Sequence, residues 1–257
     1  MRALVLSDIH ANPYALRAVL EDAPPHDEVI VLGDLVDYGP RPGEVIDAIR
    51  SMGARVVRGN HDEAVAKGVD CGCGPATHHL SVLTRERISY GTLSKADISW
   101  LGTLPYELSL GWGLAVHAAP SNKLYTYVYP WMRNEEICRE LVTGPRRLAL
   151  KGCEGVEGTY LLGHTHHQFI RRLPGGALVI NPGSVGQPRD WDPRAAYAVV
   201  EVDGAEVVSV SLVRVWYDVG SVVKDLRGLL GECREMSELA QIFLRGSIDH
   251  LMRPDRE

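Results

Sequence analysis

The stretch Ala3-Leu4-Val5-Leu6-Ser7-Asp8-Ile9-His10-Ala11-Asn12-Pro13 decides the fold. Its apolar opening, residues 3–6, is too short for a helix and suits a buried strand. A helix over 13–20 follows, with Asn12 as its N-cap and Pro13 at the first helical position, where a missing N–H costs nothing. An aspartate and a histidine stand between strand and helix. The same order of features recurs. Val29-Ile30-Val31-Leu32 leads to Gly33-Asp34 and a helix over 42–52, and Arg55-Val56-Val57-Arg58 leads to Gly59-Asn60-His61-Asp62. This β-α-β-α-β order predicts parallel strands joined by right-handed crossovers.

Working outward, residues 61–105 read as helical, interrupted by a loop at Cys71-Gly72-Cys73-Gly74-Pro75. Strands are expected over 106–110, 114–118, 159–162, 168–173, 177–180, 196–202 and 206–214, with Pro174-Gly175-Gly176 as a hairpin turn and a helical tail over 219–257. The 257 residues are 45% hydrophobic, enough to build one large core, so a single domain over 1–257 is expected. A net charge of -6 argues against broad nucleic-acid or anionic-membrane binding. The chain opens on a strand rather than a basic and then apolar leader, and it holds no run of about 18 apolar residues, so neither secretion nor membrane spanning is expected. Five cysteines suit free thiols in a reducing cytoplasm better than a disulfide scaffold.

Each apolar strand ends in residue types that bind metals. Asp8 and His10 follow the first, Asp34 the second and Asn60 the third; His117 follows 114–116, and Gly163-His164-Thr165-His166 follows 159–162. Ligands of open α/β sheets bind at the carboxyl ends of strands, so these side chains are expected to converge. If Asp8-x-His10 stays extended, both side chains share one side and can grip one ion, and His164-x-His166 repeats the spacing. Asp34 could bridge two ions with its two carboxylate oxygens. Mixed imidazole and carboxylate ligation suits Mn, Fe, Zn or Co over Ca or Mg.

The order Asp-x-His, Gly-Asp, Gly-Asn-His-Asp, His, Gly-His-x-His resembles the calcineurin-like metallophosphoesterase family from residue 3 to about residue 190. The run Asn181-Pro182-Gly183-Ser184-Val185-Gly186-Gln187-Pro188-Arg189 is similar to the small bacterial and archaeal, phosphodiesterase-like members. The resemblance implies an α/β fold, a four-layer α-β-β-α sandwich of two facing mixed sheets with flanking helices. It implies two divalent transition-metal ions, manganese ahead of iron, zinc, nickel or cobalt. Asp8, His10, Asp34 and His166 would hold one ion, and Asp34, Asn60, His117 and His164 the other. A hydroxide bridging them would attack a small phosphodiester, nucleotide or polyphosphate linkage. His61 would lie beside the site to protonate the leaving oxygen or hold the phosphate, with Asp62 fixing its ring tautomer.

Asn12 and Arg189 are candidate phosphate contacts, Asn12 being equally suited to cap its helix; Arg41 is a weaker candidate. Protein Ser/Thr phosphatases of the superfamily carry Gly-Asp-x-Val-Asp-Arg-Gly, whereas Tyr38 stands here in place of the arginine. That disfavours a phosphoprotein substrate and leaves a phosphomonoesterase or protein phosphatase as the alternative, ahead of a non-catalytic scaffold or a nuclease. Residues 61–110 are expected to cap the site and set substrate size. A zinc clip of Cys71 and Cys73 with His78 and His79 is disfavoured because no second cysteine pair follows. Tyr125, Tyr127, Tyr129 and Trp131 alternate as in a strand with packed aromatics, a reading preferred to the walls of a base-binding pocket. The oligomeric state is open.

Overall fold

Side chains alternate along Arg2–Leu6 (β1) and sort the molecule into layers. Ala3 and Val5 join one apolar cluster with Ile30, Leu32, Leu161, Ile180 and Val200, drawn from two different sheets. Leu4 and Leu6 face the other way and join Leu16, Val19, Val45 and Ile49, which belong to helices. Each such leucine or valine, fully buried, contributes about 1.5–3 kcal/mol.

The protein is described here by a computed structural model covering residues 1–252. The end of the expected helical tail, 253–257, lies outside the described residues. In chain order the elements are β1, α1 (Pro13–Asp22), β2 (Glu28–Val31), α2 (Pro42–Ser51), β3 (Arg55–Val56), α3 (Asn60–Lys67), α4 (Pro75–Thr84), a π-helical turn (Arg85–Ser89), α5 (Tyr90–Thr92) and α6 (Lys95–Leu101). There follow β4 (Glu107–Ser109), β5 (Leu114–Val116), α7 (Asn134–Glu140), α8 (Gly144–Ala149), β6 (Thr159–Leu161), β7 (Gln168–Arg172), β8 (Leu178–Pro182), β9 (Ala195–Asp203), β10 (Glu206–Val215), α9 (Val219–Leu230), α10 (Arg234–Arg245) and α11 (Asp249–Met252).

Two five-stranded sheets form, in the orders β10-β9-β1-β2-β3 and β4-β5-β6-β8-β7. β1, β2 and β3 run parallel, as do β5, β6 and β8, and antiparallel neighbours complete both sheets. The facing sheets enclose one core, while helices cover each outer face, α1 and α2 on one side and α7 on the other. This is the expected four-layer α/β sandwich of mixed sheets. Asn12 caps α1 as expected, accepting from the Ala15 N–H at 3.0 Å.

Two readings are corrected. Residues 124–131 form no strand; Tyr127 and Tyr129 lie in irregular chain. The aromatics there stack on one another and on histidines, so their alternation reflects a common wall and not a sheet. The cysteines are not all free: Cys71 pairs with Cys73 and Cys138 with Cys153, leaving Cys233. Residues 15 apart in sequence, Cys138 and Cys153 meet because both pack in the core beneath the second sheet. Among the described residues, no helix is long and apolar enough to cross a membrane.

Candidate metal centre

The carboxyl ends of β1, β2, β3, β5 and β6 each deliver a short loop to one place. The loops are tight. Among the described residues nine non-glycine residues have positive φ, and five of them are Asp8 (52°), His10 (46°), Asp34 (56°), His164 (65°) and His166 (58°). Left-handed backbone at such residues is held only where the surroundings over-determine it, and it collects at functional sites. The expected extended Asp8-x-His10 is therefore corrected: left-handed turns, not strand alternation, bring the two side chains together. Glycines make room for them. A Cβ on Gly59 would run into Asp34 Oδ1, and one on Gly163 into Ser7 Oγ. The run 181–189 braces the loops from outside. Asn181 Nδ2 donates to the Gly163 carbonyl at 2.9 Å, and Ser184 Oγ to the Asp8 carbonyl at 2.7 Å.

Two groups of donors result, Asp8, His10, Asp34 and His166 in one and Asp34, His117 and His164 in the other. All are buried. Asp34 is common to both. Its Oδ2 lies 3.7 Å from His10 Nε2 and 3.4 Å from His117 Nε2, while Oδ1 accepts the His61 backbone N–H at 2.9 Å. Oδ2 is thus the Asp34 oxygen that lies between the two groups. Asn60 adds its Oδ1, 2.9 Å from His117 Nε2, and its amide orientation is fixed because Nδ2 donates to the Cys71 carbonyl at 2.8 Å.

The donor set fits divalent cations. His10, His166 and His117 each place Nδ1 on a backbone carbonyl, those of Val36 (2.9 Å), Gln187 (2.5 Å) and Leu32 (2.7 Å). In the neutral ring this tautomer leaves a lone pair on Nε2. His10 Nε2 and His166 Nε2 face each other at 3.2 Å with no proton to share. Asp8 Oδ1 lies 3.4 Å from His166 Nε2, buried and without a hydrogen-bond partner. Electron-pair donors converging in a dry interior are repulsive unless a cation lies between them.

Burial also sets the charges. It lowers the pKa of His10 to about 3 and pushes those of His164 and His166 well below the ordinary range, keeping these rings in the neutral, ligating form. Burial raises Asp8 to about 6. For His117 burial works against the charged form, but the charge of Asp34 and its hydrogen bond outweigh it and hold the pKa up, at about 9. In metal-free protein a proton on His117 Nε2 therefore stands in for a cation between Asp34 and Asn60.

His61 lies beside the first group, its ring 5.1 Å from that of His10. Its expected partner is corrected. Asp62 sits at the third position of α3 and accepts the backbone N–H groups of Asp34 (2.9 Å), Leu35 (2.8 Å) and Gly59 (2.9 Å), so it faces the backbone and not the ring. His61 Nδ1 instead bonds Asp37 Oδ2 at 2.9 Å. Asp37 is itself gripped by Arg85 at 2.8 Å and by Ser89 Oγ at 2.9 Å, both from the π-helical turn after α4. The helical stretch after His61 thus supports the site directly. Asn12 is buried, its oxygen capping α1 and its Nδ2 donating to the Gly186 carbonyl at 2.9 Å. Arg189 lies near the histidines, bonded to the neutral Gln187 amide oxygen at 2.6 Å, with its guanidinium over the Tyr38 ring. Arg41 is tied to Glu44 and Asp225 on the surface. His78 bonds Asp70 and His79 bonds Glu238, so the pair does not close a zinc clip with the bonded Cys71 and Cys73.

The sequence profile of calcineurin-like phosphoesterases matches residues 1–177, a span holding every candidate ligand. The chain belongs to the calcineurin-like phosphoesterase family. It is similar to a metallophosphoesterase from Sphaerobacter thermophilus, at 30% identity over 96% of this chain and 100% of that one, with a TM-score of 0.72. A hypothetical protein from Pyrococcus horikoshii OT3 shares the fold at 23% identity, 96% and 98% coverage and a TM-score of 0.73. An uncharacterized protein of Methanocaldococcus jannaschii is 26% identical over 236 residues, 84% of this chain and 87% of its own length. As a calcineurin-like phosphoesterase, the chain is a metal-dependent hydrolase of phosphoesters.

Proposed function

We propose that this phosphoesterase is dinuclear and acts on phosphodiester linkages of small molecules. Asp8, His10, Asp34 and His166 would hold one ion and Asp34, Asn60, His117 and His164 the other. The supporting observation is the shared Asp34 Oδ2, which lies within 3.7 Å of His10 Nε2 and 3.4 Å of His117 Nε2. A pair of divalent ions there supplies an activated water near neutral pH and a clamp for phosphoryl oxygens. Manganese is the ion we propose, and the mixed imidazole and carboxylate donors suit iron, zinc, nickel or cobalt as well.

The chain's own residues divide the remaining work. His61 protonates the leaving oxygen from Nε2, with Nδ1–H held by Asp37. Asp37 and Asp62 are positioning residues, Asp37 for the His61 ring and Asp62 for the backbone that carries Asp34. Arg189 binds a phosphoryl oxygen through guanidinium N–H groups that no carboxylate engages among the described residues. The preference for diesters follows from charge. Tyr38 occupies the position where protein phosphatases of this family place an arginine, and it is buried with its hydroxyl on Thr77 Oγ1 at 3.1 Å. With one guanidinium near the ions instead of two, a monoanionic diester is better matched than a dianionic monoester.

The test is hydrolysis by the manganese-loaded protein of bis(p-nitrophenyl) phosphate and p-nitrophenyl phosphate, which share a leaving group. The proposal expects kcat/KM at least tenfold higher for the diester. A higher value for the monoester would replace it with a phosphomonoesterase.

A further inference from the structure

A row of aromatic rings leads away from the candidate metal centre. Tyr127 stacks on His164 with centroids 4.1 Å apart and planes inclined by 23°. Tyr129 continues the stack at 5.5 Å and 4°, and Trp131 at 4.6 Å and 11°. His167, next to the ligand His166, meets Trp131 edge-on at 5.0 Å and Trp191 at 6.2 Å. These rings line a cleft of about 440 Å³ together with residues 74–77 and 248–249. Arg189 and Thr165 also line the cleft, so its inner end adjoins the place proposed for the phosphate.

Burial is graded along the row. Tyr127 and Tyr129 are partly buried, whereas Trp131 is 63% exposed and Trp191 64%. Trp191 also holds a left-handed backbone, φ 65°, and its indole Nε1 donates to Asp249 Oδ2 at 2.7 Å. Two indoles kept in water, one of them in a costly conformation and tied to a carboxylate, are not explained by core packing. The outer face of Trp131 has no ring stacked on it among the described residues, and Trp191 and His167 border the same space. A flat, apolar-faced ring with polar edges matches this arrangement. Its faces would lie against indole, and its edge could reach the Asp249 carboxylate beside Trp191.

We infer that the cleft is a nucleobase subsite, and that the substrate is a nucleoside-bearing phosphodiester whose base stacks at Trp131 and Trp191 while its phosphate lies at Arg189 and the ions. The inference rests on the phosphodiesterase reading above. It adds a specificity element from the segment 125–131 that the ligand set does not contain. A sugar or glycerol diester presents no flat face to the indoles and gains nothing from them.

Two measurements test it. Indole fluorescence of the wild-type protein is titrated with AMP and with ribose 5-phosphate, in the absence of added metal. Quenching is expected with AMP at a Kd at least tenfold below that for ribose 5-phosphate, since stacking of a base on an aromatic side chain is worth about 1–3 kcal/mol, or roughly 5- to 150-fold. Equal affinities would overturn the inference. The second compares KM for a dinucleoside phosphodiester and a glycerophosphodiester in manganese-loaded wild type, Trp131→Ala and Trp191→Ala. The substitutions should raise KM for the dinucleoside about tenfold more than for the glycerol ester. An equal change for both substrates would refute the subsite while leaving the phosphodiesterase reading intact. Failure of the wild type to cleave either diester while it cleaves monoesters would sink that reading instead, and the AMP titration would then decide the subsite alone.

Discussion

Replacing Asp34 by asparagine removes one negative charge and one lone-pair-rich oxygen while keeping the shape of the side chain. The amide oxygen can still accept the His61 N–H that Oδ1 now accepts at 2.9 Å, so the loop after β2 keeps its anchor. The amide nitrogen would then occupy the place of Oδ2, 3.7 Å from His10 Nε2 and 3.4 Å from His117 Nε2. An NH₂ group donates to those nitrogens and ties up the lone pairs proposed for both ions. Loss of a partner that merely orients a metal ligand costs about 10- to 100-fold in affinity, so loss of a shared ligand should cost at least about 100-fold at each site. The assay is metal content after desalting, together with calorimetric titration of the metal-free protein with Mn²⁺. The expected result is a folded variant holding less than one ion per chain at micromolar free metal. Two ions per chain at wild-type affinity would refute the shared-ligand reasoning.

Other outcomes follow from the same geometry. His61→Ala should retain both ions but lose about 10²–10⁴ in kcat, the range for a positioned proton donor, and unchanged kcat would remove His61 from that role. Asp62→Ala should act on stability first, because it leaves three backbone N–H groups without their acceptor at roughly 1–3 kcal/mol each; a melting temperature equal to wild type would contradict the capping role. His117 gives a pH signature. Its folded pKa of about 9 exceeds the ordinary 6.5, so its contribution to metal-free stability is complete below about pH 6.5 and is lost as pH rises through 9. Saturating Mn²⁺ displaces that proton and should flatten the loss, as calorimetric melting across pH 6.5–9.5 would reveal; a metal-free protein that gains stability over that range would be inconsistent with it.

The layers and the candidate ligands were legible in the sequence for one reason: each strand is a short apolar run that stops at a polar loop. That pattern identified both the strands and the ends at which Asp8, His10, Asp34, Asn60, His117, His164 and His166 stand. What escaped depends on contacts between distant segments. Asp62 follows His61 directly and invited pairing with it, yet its place three residues after Gly59, at the start of a helix, is a capping position that could have been read. Asp37 reaches His61 from 24 residues away, and Arg85 reaches Asp37 from a π-helical turn that carries no sequence signal of its own. The alternation of Tyr125, Tyr127, Tyr129 and Trp131 fits a strand and an extended wall equally well; only the lack of a neighbouring strand separates the two. Disulfide partners 15 residues apart are likewise set by packing and not by spacing.

The most direct test of the central claim is anomalous diffraction from crystals of the protein grown with Mn²⁺. Two peaks should appear about 3.5–4 Å apart, one on either side of Asp34 Oδ2, the spacing at which a metal pair clamps a phosphoryl group. A single peak, or two peaks that do not share Asp34, would contradict it.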